Sequence, residues 1–140
     1  MLGRSNYDQD YIDKCRDKVA AQVAAYDALA SAARNGAKLD SQVDAFEPLF
    51  FNNMVLVLDA LFVHRLRTKE GKDGNPLNEV RVLSESLMEN DGVLAGGKSI
   101  KLKPESSILH LEVGDEIAVD ASGFQRLAEG FFAEMEARYV

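Results

Sequence analysis

The chain has 140 residues with ten glycines, three prolines and one cysteine, 46% apolar and 28% charged residues, and a formal net charge of −7. That size and balance are expected of one folded domain that buries about two thirds of the surface its unfolded form exposes, and they exclude a disordered, fibrous or disulfide-stapled chain. The acidic surplus opposes binding to a phosphate backbone, so no nucleic-acid partner is expected.

The start, MLGRSNYDQDY, lacks the apolar core of a secretion signal, and Cys15 has no partner for an intramolecular disulfide. Together these favour a cytoplasmic setting. The longest apolar stretch, Leu49 to Leu58, carries Asn52 and Asn53 and stops at Asp59. It falls short of the roughly 20 residues a membrane span needs, so no membrane association is expected.

From about Asp8 to Arg34, apolar residues recur every three to four positions through Tyr11 or Ile12, Cys15, Val19, Val23, Tyr26, Leu29 or Ala30, and Ala33, the period of one helix face. Ser5 or Asn6 is the expected cap of this helix, 8–34, and Asn35-Gly36 its expected left-handed stop. Ser41 and Asp44 have capping-box spacing and predict a short turn over 41–46 that Pro48 ends. A second long helix, about 48–68, is apolar on nearly every side and belongs in the middle of a bundle. Asn52 and Asp59 share one polar stripe on it, and Asn53, His64 and Arg67 share another about 100° away. A buried strand is the alternative for MVLVLD, which the unbroken apolar length opposes.

Asp73-Gly74 reads as a turn, and Asn75-Pro76 as a cap followed by a first-turn proline, opening a third helix over 76–90. The period then changes. Ile100 and Leu102, then Leu109, Leu111 and Val113, then Ile117 and Val119 alternate with polar residues. Alternation predicts strands over 98–119, with Pro104 dividing the first from the second. Asp120 caps a last helix over 121–139. The expected fold is mainly α with a β addition (α+β): an antiparallel four-helix bundle with a small antiparallel β-hairpin or three-stranded patch between helices 3 and 4, in a single domain 1–140.

Gly92-Val93-Leu94-Ala95-Gly96-Gly97-Lys98-Ser99 resembles the phosphate-binding loop GxxxxGK[ST] over eight residues. The resemblance implies loop amides around phosphates, with Lys98 on the outer phosphates and Ser99 on Mg²⁺. That loop needs a strand before it and a helix after it, and the flanking patterns supply neither, so a nucleotide ranks last among the functional readings. His64 and His110 have no Asp, Glu, Cys or His three or four residues away, so no metal site and no cofactor is expected. Cys15 sits on an apolar face and reads as a core residue.

The remaining candidate is the junction of the second and third helices, where Arg65, Arg67, Lys69 and Lys72 flank a glycine-rich turn feeding a helix N-terminus. A pocket there, lined by Asn53, Asp59, His64, Arg67, Asn75, Asn78 and Arg81, would suit a small anionic ligand, with His64 as acid or base and Arg67 on the anion. The competing and leading expectation is a helical domain that self-associates, as a dimer, or binds a protein partner. Its aromatic side chains, Phe50-Phe51 and Phe131-Phe132 above all, exceed what one helix face buries.

Overall fold

In the computed structural model, residues 3–97 and 99–140 are described, and five helices run in the order α1 (Gln9–Asn35), α2 (Asp40–Leu61), α3 (Arg67–Glu70), α4 (Pro76–Glu89) and α5 (Ala121–Tyr139). The four long ones pack as a helical bundle in which α2 touches α1, α4 and α5, and α5 also touches α1, α3 and α4. α1 lies antiparallel to α2: the Tyr11 hydroxyl donates to Leu61 O at 2.6 Å near one end, and Arg34 reaches Asp44 at 2.7 Å near the other.

α1 buries the stripe Ile12, Cys15, Val19, Val23 and Tyr26. Asp8 precedes it, and its left-handed exit is not at Gly36, which keeps right-handed geometry with φ −87°, but at Lys38 with φ 56°. There the Leu39 amide donates back to Ala33 O at 2.9 Å. α2 begins at Asp40 and runs through Pro48 without a stop. The proline forfeits one backbone bond, but Phe51 on the same helix packs on Tyr26 at 4.8 Å and on Phe50 at 5.0 Å, and tertiary packing overrides the local breaker.

α2 also ends earlier than its apolar run suggests. Phe62 leaves helical geometry (φ −131°, ψ 37°) and is fully buried, its ring 5.1 Å from Tyr7 and 5.7 Å from Phe131. His64 and Arg67 therefore do not continue the helical stripe of Asn53. The chain instead pairs briefly with the N-terminal segment, Arg4 N donating to His64 O and Leu66 N to Arg4 O, and then enters α3.

The β-hairpin or three-stranded patch expected over 98–119 does not form: the described residues contain no strand, only isolated bridges between Arg4 and Arg65 and between Val93 and Glu116. The reason is that helix side chains take the place of neighbouring strands. Asn52 on α2 donates to Ile117 O at 2.9 Å and accepts from Val119 N at 3.1 Å, as a strand backbone would. Glu79 on α4 accepts from the Ile108 and Leu109 amides at 2.8 and 2.9 Å. Ile100, Ile117 and Val119 are buried, so the alternation reports an irregular segment of turns and short extended pieces lying across helices rather than a sheet.

Candidate functional site

The cations and turn residues between α2 and α4 assemble around a carboxylate of the chain itself. Arg65, whose side chain is 0% exposed, donates from Nε to Glu70 Oε1 at 2.9 Å, from Nη2 to Asp59 Oδ1 at 3.0 Å and from Nη1 to Phe62 O at 3.1 Å. Arg81 on α4 grips Glu70 with two nitrogens, Nη2 to Oε1 at 2.6 Å and Nε to Oε2 at 3.0 Å. Asn78 Nδ2 donates to Glu70 Oε2 at 2.9 Å, while its Oδ1 accepts from Gly74 N at 3.0 Å. Asn75 caps α4 by accepting from Leu77 N at 2.9 Å and donates to Glu70 O at 2.7 Å. Arg138 of α5 also donates to Glu70 O, at 3.0 Å.

Two guanidiniums thus face two carboxylates, with Arg65 and Glu70 fully buried and Arg81 and Asp59 at the partly exposed edge, an arrangement in which buried charge is tolerated because it is paired. Burial pushes the Glu70 carboxyl up, but the hydrogen bonds and charges of Arg81 and Arg65, with Asn78, outweigh it and hold the group below its ordinary value. Tyr139, whose hydroxyl donates to Leu66 O at 2.7 Å, is pushed up to about 12 by burial and by the Glu70 charge. Chemically the cluster is a clamp: it ties the end of α2, all of α3 and the start of α4 together through Glu70.

The sequence-derived candidates are divided by the fold. Asp59, Asn75, Asn78 and Arg81 come together in the clamp, Asp59 accepting from Arg65 and the other three donating to Glu70. Asn53 is exposed on α2, and His64 and Arg67 are exposed beyond its end. Of the two residues at the centre of the clamp, Arg65 is one of the junction's cations in the sequence but not one of the expected pocket residues, and Glu70 does not stand out. The one signal is an acid among four cations beside the apolar Leu66, and a run of charge reads by default as a solvated turn.

His64 lines a separate cleft of about 340 Å³ with Arg4, Tyr7, Asp8, Tyr11 and Leu61. The phosphate-loop resemblance runs through Lys98, outside the described residues. Of its described amides, Leu94 N donates to Asp115 O at 2.8 Å and Ala95 N to Ser86 Oγ at 3.0 Å. α4 precedes that loop, and the described residues between it and α5 contain no helix. No group of three or more His, Cys, Asp or Glu stands close enough to hold a metal ion among the described residues, and no helix there is long and apolar enough to cross a membrane.

A different surface gathers apolar side chains. Over Val19–Ala33 α1 is apolar except for the exposed Gln22, Asp27 and Ser31: Val19, Val23 and Tyr26 face the core, while Ala20, Ala21, Ala24, Ala25, Ala28 and Leu29 are exposed, Leu29 by 65%. On one flank, a recess of about 220 Å³ opens between Leu29 and Ala33 of α1, Leu39 just before α2, and Gln42 and Phe46 of α2. On the other, a groove of about 340 Å³ runs between α1 and α5.

No protein-family model matches this chain, and no curated protein or solved structure is significantly similar to it.

Proposed function

We propose that the chain is a helical docking domain that binds a protein surface, another copy included, through the outward side of α1. The observation that carries this reading is the mostly apolar circumference of α1 over Val19–Ala33. A helix with apolar residues on most of its circumference is ordinarily covered on most sides, and here the alanine-rich side faces solvent. Alanine on that side lets a second helix approach closely, and the flanking recesses offer pockets for larger anchors. The clamp around Glu70 keeps the far end of the bundle rigid and has its polar groups satisfied internally, the pattern of a scaffold rather than of a reactive centre.

The test is site-resolved photocrosslinking in cells that make the protein, with a benzophenone amino acid at Ala25 or Ala28 of α1 and, as control, at exposed Glu105. Adducts to a second polypeptide are expected from the α1 positions and not from Glu105. Equal labelling from all three, or none from α1, sinks the reading.

The cleft beside His64 supports a second reading, a small-anion binder. The Arg4 guanidinium stands in it beside the His64 imidazole and the Asp8 carboxylate, and Tyr7 and Tyr11 line it as aromatic walls. Titrating benzoate while following the His64 imidazole by NMR tests this. Saturable shifts that vanish in Arg4→Ala are expected, and unchanged resonances remove the idea.

A further inference from the structure

From the α1–α5 groove we infer the kind of partner: a basic amphipathic helix, seated with its apolar stripe on the groove floor and its Lys or Arg residues over the rim. This rests on the docking reading and adds what the occupant must look like.

The groove exists because small side chains stand where ridges would otherwise fill it. α1 and α5 are antiparallel, with Arg16 reaching Glu136 near the start of α1 and Val23 facing the same recess as Phe124 further along. Between them Ala20 and Ala24 on α1 and Ala128 on α5 leave the valley open, and Val19, Val23, Phe124 and Phe132 form its floor. The α1 wall runs from Arg16 to Asp27, roughly 17 Å at a rise of about 1.5 Å per residue. Three turns of a helix fit that length, which makes the occupant a segment of about 12 residues with apolar anchors at i, i+4 and i+7 or i+8.

Charge selects among such helices. Asp27 on the α1 wall and Glu129 on the α5 wall are exposed, and neither takes part in an ion pair among the described residues. The rim's cation, Arg16, is paired with Glu136 at 2.7 Å and lies 5.2 Å over the Phe132 ring, so its charge is partly offset by an acid of the chain itself. With a net charge of −7 behind it, the groove attracts a cationic helix and repels an anionic one. A second copy is disfavoured for the same reason, because it brings its own Asp27 and Glu129 against these.

The probe is a fluorescent peptide of about 14 residues with leucines at helical i, i+4, i+7 and i+11 spacing and lysines elsewhere. It is compared with a scrambled peptide of the same composition and with a Leu/Glu peptide of the same pattern. Anisotropy at low salt is expected to show at least tenfold tighter binding of the patterned Leu/Lys peptide than of either control, with amide shifts confined to residues 16–27 and 124–132. Ala20→Arg with Ala24→Arg, both at exposed positions, is expected to lose at least tenfold with an unchanged Tm. Asp27→Asn with Glu129→Gln is expected to lose about fivefold for the Leu/Lys peptide and nothing for a Leu/Gln one.

Equal binding of the scrambled peptide, shifts elsewhere on the surface, or indifference to the alanine substitutions overturns the inference. So does sedimentation showing the groove closed by a second copy. Failure of the peptide with α1 crosslinks intact removes the basic helix alone, whereas loss of the crosslinks removes the docking reading beneath it.

Discussion

Glu70 is fully buried and accepts from two arginines and Asn78, so its removal leaves Arg65 in a dry site with one carboxylate partner instead of two. Glu70→Gln is therefore expected to cost about 3–5 kcal/mol in chemical denaturation. Its pH dependence has a definite sign. A carboxyl held below its ordinary value of 4.5 contributes stability that is present in full above that value and is lost as pH falls through the folded value. The gap between wild type and Glu70→Gln should then shrink on acidification below about pH 4.5; a gap that stays constant to pH 2 would mean the carboxylate is not what the arginines hold. Glu79 runs the other way. Burial raises it, opposed by its bonds to the Ile108 and Leu109 amides, so its contribution declines as pH rises from the ordinary carboxyl value through the raised one.

Among the elements, the irregular segment between α4 and α5 shows how a chain is held against helices without a sheet. Asn52 satisfies Ile117 O and Val119 N together, and Asn52→Ala removes both bonds from a buried stretch. A loss of about 1–3 kcal/mol is expected, with faster hydrogen exchange at Val119 and little change at Leu109, which Glu79 holds separately. Uniform acceleration along 100–119 would show instead that the segment is one cooperative unit. The turn before α4 carries a second constraint. Gly74 has φ +85°, and a Cβ there would stand 2.5 Å from Lys101 O, a backbone atom that cannot swing aside. Gly74→Ala is expected to cost about 1–3 kcal/mol, read as a drop in Tm.

Taken whole, the bundle places a rigid charged clamp at one end of α2 and an uncovered apolar helix along one side. Net charge then separates the two ways that side can be covered. Association of two copies, each at −7, is opposed by repulsion and should strengthen as salt rises, because screening shortens its range to about 3 Å at 1 M. Binding of a cationic helix should weaken over the same range. Sedimentation and anisotropy between about 0.05 and 0.5 M salt read the two signs directly.

Several features were legible from spacing alone. The stripe from Ile12 to Tyr26 marks buried positions because a helix repeats every 3.6 residues whatever it packs against, and Asn75-Pro76 marks a helix start because the cap is a bond between near neighbours. Other features depended on distant partners. Alternation at 100–119 looks the same whether the neighbour is a strand or the side chains of Asn52 and Glu79, 29 to 67 residues away. The grouping of Asp59, Asn78 and Arg81, without His64 and Arg67, follows from α2 stopping at Leu61, and it stops there because Phe62 is drawn into an aromatic cluster built from both ends of the chain. Periodicity is a local property of the backbone and is written in the order of residues. Where a helix ends, and which acid meets which base, are set by burial against partners that sequence distance does not reveal.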